Sequence, residues 1–238
     1  MHRWVAISTL CIWPILANSE ITSATYEEPT DIYGHGAVAN GEYAVLSIGT
    51  DSSVFRIGYA GAVFEDTQPR LADLNGDGAP EVVAVLSGFT TGASIVVFGL
   101  GDAGKIEELM RTEPIGQRNR WLAIAAIADL DEDGAIEIAY VDRPHLAKVL
   151  RVIEVASDLD GAWTYRQVAQ SGDLTNHHYR APDIEGGLRD CDGRLEIITA
   201  DGSWSRIVST SLEEGELISR DLGIYQGAAS LEAAMSCN

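Results

Sequence analysis

From about residue 42 to 222 the chain alternates short apolar runs, rich in Val, Ile, Leu and Ala, with clusters of Gly, Asn and Asp. No stretch between 31 and 222 carries a helical period, so the runs predict strands. They fall at 82–85, 93–98 and 106–110, again at 138–141, 147–155 and 163–169, and again at 197–200, 205–210 and 216–221. In the last set Glu214-Gly215 supplies the turn. The stretch 226–235 is Ala-rich and predicts a short helix or a strap, whereas 20–33 is polar, lacks periodicity and reads as a flexible leader.

A short acidic loop precedes each set of runs. Aligning Gly78 with Gly134 gives a spacing of 134 − 78 = 56 residues, and Gly193 follows Gly134 by 193 − 134 = 59. The stretch 35–47, with its strand-turn-strand rhythm around Asn40-Gly41 and no acidic set, reads as a metal-free first repeat. Four short strands per repeat of this length form the blade of a β-propeller, giving an all-β fold of about four four-stranded blades over 34–226 and a C-terminal strap at 227–238.

The loops carry candidate chemistry. Asp129-Leu-Asp-Glu-Asp-Gly-Ala-Ile-Glu137 and Asp73-Leu-Asn-Gly-Asp-Gly-Ala-Pro-Glu81 place acidic or amide oxygens at positions one, three, five and nine, with glycine at six. Such hard oxygen donors suit Ca2+, with Asp73, Asn75, Asp77 and Glu81 as one ligand set and Asp129, Asp131, Asp133 and Glu137 as the other. An EF-hand requires flanking helices and a Glu at position twelve, where Ala84 and Tyr140 stand. The alternative is a solvated Asp/Asn-Gly hairpin. The third copy retains Asp190, Asp192 and Glu196 but has Leu188 at position one and Arg194 at position seven, so weak or no calcium affinity is expected there.

These loops, each followed by a β-branched strand, resemble the FG-GAP/VCBS repeats of integrin-α N-terminal-like propellers, in which an Asp-x-Asp-x-Asp-Gly-x-x-Glu loop between the first two strands of a blade holds calcium. The resemblance covers roughly residues 34 to 222, with two loops matching fully, one partly and one not at all. Such propellers commonly have about seven blades, and this chain has room for about four. Either it closes as a small ring that the tail helps to seal, or it forms an open array whose end strands need a cover.

Composition narrows the setting. With 238 residues, 46% of them hydrophobic, the chain can bury an ample core, and a net charge of −20 argues against a phosphate-backbone partner such as DNA or RNA. His2 and Arg3 lead into an apolar run at 4–16 and then Ala17-Asn18-Ser19, the layout of a signal peptide over 1–19 and thus of a secreted or periplasmic protein. The run is too short to span a bilayer, and Leu10 before Cys11 argues against a lipid anchor. Cys191 and Cys237 remain, as one disulfide or as two free thiols.

Blade topology sorts the loops. The face opposite the calcium loops receives the inter-blade links, with His35, Arg70, Arg118, Asn119, Arg120, Trp121, His177, His178, Tyr179 and Arg180. The second-to-third-strand loops add Arg143, His145 and Trp204, with Arg206 just beyond. Four of the five histidines collect there. Arg with Trp suits a planar or anionic group, which nominates Arg118, Asn119, Arg120, Trp121, His145, His177, His178 and Trp204 as a ligand site for an extracytoplasmic anionic glycan or acidic peptide. The competing reading has these arginines pairing with carboxylates of neighbouring blades and the tryptophans plugging gaps between them. No His-Glu-x-x-His, Cys-x-x-Cys or Gly-x-Ser-x-Gly signature and no glycine-rich phosphate loop marks an enzyme. The reading is a calcium-stabilised binding module, and its alternative a hydrolase or lyase acting on an extracellular polymer.

Overall fold

A computed structural model describes residues 20–237 except 102, 159 and 192. The expected signal peptide and Asp192 of the third acidic loop therefore lie outside the described residues. Among those described, no helix is long and apolar enough to cross a membrane.

The protein is all-β, built from antiparallel sheets with one short helix. The first strand corrects the reading of 20–33 as a leader: β1 (Ile21–Pro29) pairs along its length with β2 (Glu42–Thr50). Its inward residues Ala24 and Tyr26 alternate with outward Thr25 and Glu27, and the Tyr26 ring stacks on Tyr43 and Phe64 at 5.3 and 5.6 Å between centroids. The expected hairpin around Asn40-Gly41 is also corrected. Residues 35–40 are not a strand; they form a loop whose Ala37 O and Ala39 N bond to Arg180 N and Ala181 O, at 2.8 and 3.2 Å. The first repeat therefore meets the link that precedes the last one.

β3 (Val54–Ile57) lies on β2, and β4 (Ala62–Glu65) bridges β2 to the second repeat. That repeat comprises β5 (Arg70–Ala72), β6 (Glu81–Gly88), β7 (Gly92–Leu100) and β8 (Ile106–Arg111). Because β4 hydrogen-bonds both ways, β1 to β8 form one eight-stranded sheet rather than the two separate blades expected. The third repeat is a four-stranded meander of β9 (Leu122–Ala128), β10 (Ile136–Asp142), β11 (Val149–Ser157) and β12 (Trp163–Ser171). The last sheet joins β13 (Leu174–Thr175), β14 (Gly187–Cys191), β15 (Arg194–Asp201), β16 (Arg206–Glu213) and β17 (Glu216–Ile224).

Strand alternation explains how the sheets pack. On β6, Val82, Ala84 and Leu86 join Leu46, Ile48 and Phe64 of the first repeat, while Val83 and Val85 turn to Ile138 and Ile153 of the third. Ala139 and Val141 then face Ile197 and Leu212 of the last sheet. Burial on both faces is why these strands read as continuous apolar runs. On the far side of the last sheet, Ile198 and Ile207 are covered by Leu231 and Ala234 of α1 (Ala228–Met235). A helix of eight residues is marginal alone, so packing must hold it, together with Arg189 Nη1 donating to Ala234 O at 2.9 Å and the Cys191–Cys237 disulfide, Cα–Cα 5.9 Å.

Candidate functional site

Two places gather chemistry. In the acidic loops, each leading aspartate closes its own turn: Asp73 accepts Gly76 N and Gly78 N, and Asp129 accepts Asp133 N and Gly134 N, all at 2.8 to 3.1 Å. Asn75 Oδ1 accepts Asp77 N, and Asp77 Oδ1 and Asp133 Oδ1 accept Ala79 N and Ala135 N. The closing glutamates Glu81 and Glu137 turn inward, each accepting the amide of the residue after the leading Asp, Leu74 N or Leu130 N. Burial, reinforced by neighbouring aspartates, pushes both glutamates up to about 7.

A cation would relieve that cost, and the second loop is the better fitted to one. Asp129, Asp131 and Glu137 bring one oxygen each to within 4.8 Å of one another, the one such group of acidic side chains among the described residues. Asp131 Oδ1 and Glu137 Oε1 are buried there without any partner, an arrangement that a hard cation would complete. Asp133 is not in that compact group, and in the first loop the amide Asn75 replaces the middle carboxylate.

The third acidic loop is a different object. β14 and β15 stay paired to Cys191 and Arg194, so no long loop opens, and Arg189 Nε and Nη2 sit 2.8 and 2.6 Å from Glu196 Oε2. A guanidinium occupies the partner position of the glutamate.

The second place is a cleft of about 360 Å3 where the inter-sheet links converge. The loop before β9 contributes Asn119, Arg120 and Trp121, the turn after β10 contributes Arg143 and His145, and the two long links contribute His35 and Tyr179. Gly92 lets the 117–120 loop lie close: with φ +76°, its site would place a Cβ 2.2 Å from Gln117 O.

Trp121 is only 1% exposed and forms the floor, its Nε1 donating to Glu65 O at 2.6 Å. Nominated as a ligand residue, it is too buried to offer its ring face for stacking. His177 is fully buried and is likewise a brace rather than a contact residue: its Nε2 faces Ala181 O at 3.1 Å and its Nδ1 faces His145 Nε2 at 2.9 Å. A carbonyl only accepts, so His177 carries its proton on Nε2 and His145 donates to it. Burial holds both imidazoles down at about 4. Arg118, expected as a ligand residue, is not among the residues lining the cleft; it sits on the Tyr33 ring, its Nη2 donating to Tyr33 O at 2.7 Å.

His178 and Trp204 do not join this cleft. They stack on one another at 3.6 Å between centroids beside Tyr225, whose hydroxyl donates to Glu185 at 2.7 Å. Adjacent residues of an extended link point opposite ways, which separates His178 from His177.

The cleft lining carries positive charge and, among the described residues, no carboxylate. Among the described residues, Arg118, Arg120 and Arg180 are the arginines with no carboxylate within 4.0 Å; every other one is ion-paired. Arg143 shares the single carboxylate of Asp142 with Arg151, leaving a further positive excess at the wall.

Sequence reasoning missed the residues behind His35. Its Nδ1 bonds Glu65 Oε1 at 2.6 Å, and the fully buried Glu65 takes a second bond at Oε2 from Ser87 Oγ, also 2.6 Å. In a chain with 36 acidic residues, one glutamate gives no signal. No protein-family model matches the chain, and no curated protein matches it.

Proposed function

We propose that the protein is an extracytoplasmic binding module, an all-β scaffold stiffened by calcium in its acidic loops and presenting a cleft for an anionic ligand, a carboxylated glycan or an acidic peptide. One observation carries this reading. In a chain of net charge −20, Arg120 lines the cleft with no carboxylate within 4.0 Å among the described residues, and Arg143 beside it shares one carboxylate with Arg151. Unpaired guanidinium groups beside an aromatic wall can take a carboxylate through two parallel hydrogen bonds. Asp129, Asp131 and Glu137 are the residues that would hold calcium most completely, and the ion would offset the repulsion among them.

Affinity electrophoresis through polygalacturonate, alginate and poly-glutamate tests the reading. Retardation that weakens with salt and is lost in Arg120→Ala supports it. Migration unaffected by all three polymers removes it.

A further inference from the structure

We propose that the cleft is catalytic: it cleaves a uronate-containing glycan by β-elimination. The inference rests on the anionic-cleft reading and adds a reaction to it.

Removing a proton from the carbon that bears a sugar's carboxyl group requires three things. The carboxylate must be neutralised, a base must be aimed at the proton, and an acid must meet the departing glycosidic oxygen. The cleft holds one group of each kind. Arg120 is the cation, its guanidinium bonded only to the neighbouring carbonyl of Asn119 at 2.8 Å.

His35 is the base. Glu65 accepts from its Nδ1, which fixes the tautomer and leaves Nε2 as the basic nitrogen of a ring that lines the cleft. The main chain around it is also held, since Glu42 accepts the amides of Gly34, His35 and Gly36 at 2.7 to 2.9 Å. A histidine oriented by a buried carboxylate, itself held by Ser87, is organised beyond what packing requires.

Tyr179 is the acid. Its ring is 56% exposed on the cleft wall, and its hydroxyl lies 3.4 Å from the carbonyl oxygen of His35.

The lining decides between elimination and hydrolysis. A glycosidase of the usual kind needs two carboxyl groups flanking the bond, and the residues lining this cleft include neither Asp nor Glu. Glu65 is fully buried behind His35.

In the step, His35 Nε2 takes the proton from the carboxyl-bearing carbon. The electron pair released forms a double bond to the neighbouring ring carbon, whose bond to the glycosidic oxygen breaks, and that oxygen receives the Tyr179 hydroxyl proton. The products are a chain ending in an unsaturated uronate and a chain with a new hydroxyl. No water is consumed, nothing is oxidised, and His35 and Tyr179 regain their starting states by proton exchange with solvent.

The test uses the calcium-supplemented full chain with polygalacturonate and with alginate. Ultraviolet absorbance of the conjugated product gives turnover, and affinity electrophoresis gives binding. Wild type is expected to generate unsaturated ends. His35→Ala and Tyr179→Phe are each expected to reduce turnover by on the order of 100-fold or more while binding is kept, and Arg120→Ala to lose both. Tyr179→Phe removes one exposed oxygen and keeps the test valid if His35→Ala folds poorly. Binding without unsaturated product overturns the elimination and leaves the anionic cleft standing. Product formed undiminished by both variants overturns the residue assignment, and absence of binding and product removes both proposals.

Discussion

Arg189 stands on Glu196, the glutamate that aligns with Glu81 and Glu137 of the earlier repeats. The same inward carboxylate meets a built-in guanidinium at 196 and only further acidic side chains at 81 and 137, where burial and the neighbouring aspartates push it up. Glu196 is 6% exposed, so Arg189→Met strands a buried charge and is expected to cost roughly 3–5 kcal/mol in urea denaturation. Adding Glu196→Leu should recover most of that loss. No recovery in the double variant would show that Arg189 acts through Ala234 and the helix instead.

Chelation should act on the other two loops. EGTA is expected to lower the melting temperature and added Ca2+ to restore it, the ion adding about 2.7 kcal/mol of stability when it reaches about a hundred times its dissociation constant. Asp129→Ala should remove more of this response than Asp73→Ala, because the second loop carries the partnerless oxygens. A melting curve indifferent to EGTA sinks the calcium assignment.

The His145–His177 pair predicts acid sensitivity of the cleft. Both imidazoles are held at about 4 in the fold against about 6.5 in the unfolded chain, so the unfolded state binds more protons between those values. Stability is then full above about pH 6.5 and is lost as pH falls toward 4, by on the order of 3 kcal/mol for His177 alone. His177→Gln should flatten this part of a stability profile measured by denaturant titration. An unchanged slope would reject the pair as its source.

Reduction should loosen the helix end. The disulfide spans 46 residues, for which chain entropy predicts about 4 kcal/mol, and strain commonly lowers the realised value. Cys237→Ser is expected to lose 2–4 kcal/mol by this mechanism and to speed amide exchange in Ala228–Met235 before exchange in β10. Equal protection of the helix in both forms would contradict this.

Gly92→Ala tests how the cleft is shaped. A methyl group 2.2 Å from Gln117 O must displace the 117–120 loop, and the left-handed backbone adds strain. Loss of stability by about 1–3 kcal/mol together with weakened anion binding is expected. A variant with wild-type affinity would show that the loop tolerates the shift.

Much of the strand layout can be read from the chain because two features reinforce one another. The Asp-rich loops at 73–81 and 129–137 mark where a hairpin starts, and β6, β10 and β15, buried on both faces, write their strands as unbroken apolar runs. β1 escapes because its exposed face is polar and its inward Ala24 and Tyr26 are too few to set a period. β4 escapes because a four-residue strand bonded on both sides leaves no trace of its second partner. Sorting links by topology puts Asn119, Arg120, His145 and Tyr179 on one side, and the structure gathers them in one cleft. What it could not reveal is direction within a link, which buries Trp121 and His177 and carries His178 away to Trp204.

The bonds from residues 37–39 to 180–181 give the cleft a place in time as well as in space. His35 and Tyr179 are 144 positions apart, so the loop between them must close before the two share a wall. Individual sheets can form from neighbouring segments, but the cleft exists only once the early and late parts of the chain have met. A partly folded chain therefore has no cleft, and any binding traced to that cleft would report completion of the fold.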